Sequence, residues 1–220
     1  MRNDFNIDVD HVAAMATQDQ ERNFDSYDNA QQHFTTTRNQ ILESIQEGNA
    51  ILVKGLEFLQ NYTDHGHSYV ADMAAKILRS RHAPNKLKNI IEIDILDNEL
   101  SLFAFTEAVN SYVDCGDYEK ECCVIAVLMT LYPVNPQPYV CFGILIWRRD
   151  GIREAADYYS RIIDALDNPV LDYFAADCFL KNGNKSKARE VIFRALATAE
   201  KSPEQKNHAR KKLFELLAAC

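Results

Sequence analysis

Two groups of side chains in this 220-residue chain are of types that do chemistry. Asp64-His65-Gly66-His67 gathers two imidazoles and a carboxylate, donors that zinc accepts, and the six cysteines could supply thiolates. Neither group closes into a ligand set. A tight loop around Gly66 rarely offers a third and fourth ligand, and no partner spacing follows it. Cys115, Cys122, Cys123, Cys141, Cys178 and Cys220 contain no C-x-x-C spacing and stand mostly at helical positions among apolar neighbours, as reduced, buried thiols do. There is no G-x-S-x-G, Walker A or H-E-x-x-H sequence, and the carboxylates follow solvated helix faces rather than converging pairs. The residues therefore predict no catalytic centre, no metal and no cofactor, and place the function in a surface.

The charge narrows what that surface meets. A formal net charge of −8 argues against nucleic acid, whose phosphates require a basic face, and against acidic substrates. No apolar run approaches the roughly 18 to 20 residues of a membrane helix, and Met1-Arg2-Asn3-Asp4-Phe5 lacks the apolar core of a signal peptide. The expectation is a cytoplasmic protein without stable membrane association.

The elements that must build the surface are repeats. Tyr139-x-x-Phe142-Gly143-x-x-Ile146 followed by Ala155-x-x-x-Tyr159 has the order of a tetratricopeptide pair, W-x-x-L-G-x-x-Y then A-x-x-x-F. Thirty-four residues before Ala155 stands Glu121-x-x-x-Ile125, preceded by Phe105-x-x-Ala108-Val109-x-x-Tyr112; thirty-three after it stands Ala188-x-x-x-Ile192, preceded by Ala175-Ala176-x-x-Phe179. The period predicts three helix pairs, turning at Cys115-Gly116-Asp117, Arg149-Asp150-Gly151 and Asn182-Gly183-Asn184, with glycines as helix stops. Small residues at Gly143, Ala155, Ala176 and Ala188 allow close helix approach. The fold expected is all-α, a tetratricopeptide-repeat α-solenoid over 97–220, with N-terminal leader helices over 36–96 and a capping helix over 203–220.

Outside the repeats the signals are weaker. Residues 1–35 are polar and acidic and are expected to be a disordered tail or a partly formed helix. From Thr37 to about Tyr62 the apolar spacing is helical, interrupted by Gly48-Asn49 and carrying a second glycine at Gly55, which gives two helices or one kinked helix. Tyr69 to Leu78 makes a further amphipathic helix, stopped before Pro84. The β-branched run Lys88 to Leu96 has no strand to pair with and is expected to be a loop leading into a helix. The last segment, 203–220, sets Leu213, Phe214, Leu216 and Leu217 against Lys206, Arg210, Lys211 and Lys212 on the other side.

Counting helix positions puts a row of inward residues on the first helix of each pair. They are Phe103, Thr106, Asn110 and Val113, then Val140, Cys141, Ile144 and Trp147, then Tyr173, Phe174, Asp177 and Leu180. Such a row is more apolar and aromatic than a monomer should expose, so a bound, extended peptide is expected to lie on it.

Tyr173-Phe174-Ala175-Ala176-Asp177-Cys178-Phe179-Leu180-Lys181-Asn182-Gly183 resembles the third-repeat signature F-x-A-A-E-C-L-L-x-x-G of the class II, translocator-binding type III secretion chaperones, the SycD/LcrH group. Phe142-Gly143, Asp94-Ile95-Leu96 and Leu102 before Tyr112 agree further, and the resemblance covers roughly residues 70 to 200. It implies a bacterial cytosolic chaperone that holds an extended segment of a secreted translocator before export. Glu121 in place of the usual alanine, Asp150 before the turn glycine and a longer N-terminal extension depart from the family's pattern. A homodimer through the N-terminal helices stays open. The competing readings are a general repeat scaffold or regulator and a needle-subunit chaperone of the same secretion system. A carboxylate clamp is disfavoured, because Thr106, Asn110, Val140, Cys141 and Ile144 stand where it would need Lys and Arg.

Overall fold

Asparagine or aspartate precedes helix after helix in this chain, and in the computed structural model those residues mark where helices begin. The structure describes residues 39–62, 68–96, 98–113, 115–133, 135–166, 168–201 and 206–220. Among them the elements are all helical: α1 (39–47), α2 (Ala50–Gln60), α3 (Ser68–Ser80), α4 (Pro84–Asn89), a π-helical segment (Ile90–Leu96), α5 (Glu99–Val113), α6 (Tyr118–Leu131), α7 (Pro136–Asp150), α8 (Ile152–Ile162), α9 (Pro169–Lys181), α10 (Lys185–Lys201) and α11 (Lys206–Ala219). Asn49 Oδ1 accepts from Ile51 N at 2.9 Å, Asp117 Oδ1 from Lys120 N at 3.3 Å, Asn135 Oδ1 from Gln137 N at 2.9 Å and Asn168 Oδ1 from Val170 N at 2.9 Å. Each bond satisfies an amide that the first helical turn leaves without a partner. Gly116, Gly151 and Gly183 hold positive φ of 75°, 116° and 80° between successive helices, the stops that the sequence period predicts. Among the described residues no helix is long and apolar enough to cross a membrane.

The chain divides into two compact units, one ending at Pro138 and one spanning Tyr139–Cys220. The first is organised around α6. From Glu121 to Met129 every residue of this helix is buried, so it has no solvent face, and α2 and α5 both pack against it. Its contact with α2 is made at Gly55, where an added Cβ would lie 2.2 Å from the Cys123 carbonyl oxygen and 2.7 Å from Val127 Cγ2. Gly48, with φ of +69°, separates α1 from α2, so the expected alternatives resolve to two helices. Tyr112 donates to Phe58 O at 2.9 Å and thereby ties α5 to α2. Glu121, at the position where the repeat expects alanine, is 2% exposed, and its Oε1 accepts the Gly116 amide at 3.0 Å. The departure from the pattern is a carboxylate that closes the α5–α6 turn.

The run Lys88–Leu96 is helical rather than the expected loop. Leu87, Ile91 and Ile95, spaced four apart, are all fully buried, and Tyr69 of α3 donates to Asp94 O at 2.5 Å. Burial of that stripe outweighs the β preference of isoleucine, and the wider π turn keeps the three residues on one face. The expectations placed on residues 1–35 and on Asp64-His65-Gly66-His67 lie outside the described residues.

Candidate binding surface of the C-terminal unit

In the unit spanning Tyr139–Cys220, α7 is held to α8 by aromatic residues. An added Cβ on Gly143 would stand 2.3 Å from both Cζ and Oη of Tyr159, so the glycine lets the phenol lie flat against the helix. Tyr158 donates to Tyr139 O at 3.1 Å, and the Phe142 and Tyr158 rings meet edge to face with centroids 5.3 Å apart. Burial pushes both the Tyr158 and the Tyr159 hydroxyls well above the ordinary phenol range, so they remain neutral donors. These contacts turn Tyr139, Phe142 and Leu145 inward and leave Ile144 half-buried and Trp147 38% exposed.

Helix α9 starts at the Asn168 cap with Pro169 at its first position and buries Leu171, Ala175, Ala176, Cys178 and Phe179. It packs against α8, α10 and α11. Burial raises the Cys178 thiol to about 11, with the neighbouring Asp177 charge adding to the effect, which keeps the sulfur protonated at neutral pH. Tyr173, Phe174, Asp177 and Leu180 are half-buried. Two lysines join this side to its neighbours. Lys181 Nζ stands 4.6 Å from the Trp147 ring centroid and 2.6 Å from Asp177 Oδ2, so one ammonium links α7 and α9. Lys212 of α11 stands 5.8 Å over the Tyr173 ring, which itself meets Phe174 edge to face at 5.4 Å.

The predicted row is therefore rearranged. Trp147 and Asp177 come together through Lys181, while Tyr173 and Phe174 adjoin one another nearer the start of α9. Val140 and Cys141, 4% and 5% exposed, are packing residues rather than surface, because the α7 backbone at Val140 lies over Tyr159, whose hydroxyl donates to Val140 O at 3.4 Å. Phe103 and Asn110 are exposed on α5, in the first unit, and Thr106 there is half-buried. Val113 closes α5, and its side chain lies outside the described residues. Sequence reasoning missed the two lysines. Asp177 and Lys181 are four apart on one helix, a spacing that flags a pair, whereas Lys212 was expected on the side of α11 away from its apolar face.

Arg194 of α10 organises the other side of α9. Its guanidinium grips the fully buried Asp172 through both carboxylate oxygens, Nε–Oδ2 at 3.2 Å, and reaches Asp164 Oδ1 at 3.0 Å. This fork ties α9 to α10.

Comparison of the chain with protein-family models, with curated proteins and with solved structures finds no match.

Proposed function

We propose that the helix pairs are tetratricopeptide-type repeats and that the chain is a non-enzymatic cytoplasmic chaperone, which takes an extended apolar segment of a client along α7 and α9. The observation that carries this reading is Trp147. The largest apolar side chain of the protein is left 38% exposed where helices of two successive pairs meet, with Ile144 half-buried one turn away. An indole in that position is the kind of anchor that a partner buries. The positive-φ glycines at Gly116, Gly151 and Gly183 support the repeat assignment. The client class comes from the resemblance of Tyr173 to Gly183 to the translocator-binding chaperones of type III secretion. A client destined for membranes is aggregation-prone, and covering its apolar anchors is enough to keep it from associating, without a nucleotide cycle.

Burial of a large side chain contributes about 1.5 to 3 kcal/mol, so losing two anchors should weaken binding by roughly a hundredfold or more. Trp147→Ala combined with Tyr173→Ala is expected to abolish co-purification of a membrane-active client from the native cell while the far-ultraviolet dichroism stays unchanged. Client capture that survives the pair rejects the surface. Identification of the captured protein as a needle subunit, or as a folded regulator, rejects the translocator assignment.

A further inference from the structure

In the N-terminal unit, α3, α4 and the π segment enclose an open cavity of about 440 Å³ lined by Lys76, Arg79, Ser80, Lys86, Ile90 and Asp94. Its charge runs against that of the protein. Three cations and one carboxylate leave a local charge of +2 (three minus one) in a chain of net −8. Asp94 Oδ2 is 3.6 Å from Lys76 Nζ and accounts for only one of the three. Arg79 donates through Nε to Ala75 O at 3.1 Å, which holds the guanidinium and leaves its terminal nitrogens without a partner among the described residues. Lys86 has none there either.

A second observation is independent of the charges. Ser80, at the end of α3, is 1% exposed, lines the same cavity, and its Oγ has no hydrogen-bond partner among the described residues. A buried hydroxyl left without a partner costs stability, and such groups are scarce in folded proteins unless a ligand or water supplies the missing bond.

We propose that this cavity binds a small phosphorylated organic molecule. The local charge of +2 matches a phosphate monoester dianion. Arg79 would supply a planar pair of donors, Lys86 a point charge and Ser80 a neutral donor at the buried side, the combination that phosphate oxygens accept. The carboxylate of Asp94, held by Lys76, faces the remaining space, where it accepts from a hydroxyl or amine on the body of the ligand. The volume lies in the range of small-ligand sites and exceeds what a bare phosphate would fill. The site belongs to the unit that ends at Pro138 and shares no residue with the surface assigned to the client.

The test uses the full chain with inorganic phosphate and ribose 5-phosphate as probes, each read as a thermal shift against sodium chloride of equal ionic strength. The wild-type protein should show a saturable rise with both, and a lower Kd for ribose 5-phosphate. Ser80→Ala and Lys86→Gln should each raise Kd about tenfold, and Arg79→Gln should raise it further, with dichroism unchanged. Shifts no larger than those in chloride, or equal in wild type and variants, overturn the site. Phosphate binding tighter than ribose 5-phosphate overturns the ligand class.

Discussion

Gly55 of α2 lies against the carbonyl of Cys123 in α6 so closely that a single added carbon would sit 2.2 Å from that oxygen. Two effects of opposite sign meet there. A glycine inside a helix costs about 1 kcal/mol relative to alanine, so propensity alone makes Gly55→Ala stabilising. The clash is with backbone of a helix buried along most of its length, which cannot step aside. Overpacking of this kind costs about 1 to 3 kcal/mol or more, and it should win. Urea unfolding of Gly55→Ala is expected to give a clear loss of stability, with Gly116→Ala as the comparison. Gly116 has nothing among the described residues within 4 Å of the added carbon and should lose only the roughly 1 to 2 kcal/mol of a strained positive φ. A Gly55→Ala protein as stable as wild type would remove the helix contact.

That glycine also shows what the sequence could and could not carry. The period placed Gly116, Gly151 and Gly183 at turns and Ala155, Ala176 and Ala188 in the core, because those roles recur at fixed intervals and the structure buries all three alanines. Gly55 occurs once. Without a repeat to compare, a helix breaker and a contact glycine read alike, and only the neighbour 68 positions away distinguishes them. The same limit applied to the stripe of Leu87, Ile91 and Ile95, where the β-branched isoleucines of the run hid a buried helical face. In the candidate surface, Trp147 was readable as an exposed aromatic, but Val140 was not readable as buried, since the packing of α7 on α8 that buries it involves Tyr159, 19 positions away in the chain. Arg194 and Asp172, 22 positions apart with no motif between them, left no signal at all.

Removing Arg194 leaves the carboxylate of Asp172 fully buried and without its guanidinium. Breaking a buried pair from one side costs about 3 kcal/mol or more, so Arg194→Met should lower the urea midpoint sharply. Asp164→Ala removes only the contact whose carboxylate is 70% exposed, and should cost under about 1 kcal/mol. The double variant Asp172→Asn with Arg194→Met should recover part of the loss, because no buried charge remains. A double variant as unstable as the sum of the singles would show that the fork acts through packing rather than charge.

Burial raises the Cys123 thiol from 9.0 to about 11 and the Tyr132 hydroxyl from 10.0 to about 12, in the second case against the lowering effect of its Ser101 bond, and Tyr158 and Tyr159 move the same way. In each the folded value lies above the unfolded one. The folded state therefore keeps its proton after the unfolded state has released its own. Stability should be unaffected by these groups below pH 9 and should fall as pH rises from 9 through 12. Urea midpoints across that range, read beside tyrosinate absorbance, check this. The absorbance of the buried tyrosines should appear together with unfolding; their titration in a still-folded protein contradicts the burial. At neutral pH the exposed Cys115 should react with a thiol reagent while Cys122, Cys123, Cys141 and Cys178 wait for unfolding.

Trp147 is the only tryptophan in the chain, so its fluorescence reports on the proposed surface without interference. Lys181 sits between its ring and Asp177, and an exposed cation–π contact is worth about 0.5 to 1 kcal/mol. Lys181→Met should therefore change stability by no more than about 1 kcal/mol while altering the emission of Trp147. The effect on binding follows from what a client segment must do. If its apolar side chain covers the indole, the ammonium has to be displaced first, and a methionine that packs against the ring without a charge removes that step. Lys181→Met should bind the client at least as tightly as wild type, with a weaker dependence on salt. A tenfold loss of affinity in this variant would mean that the client is read by the ammonium rather than by the ring, and would make Lys181 the anchor in place of Trp147.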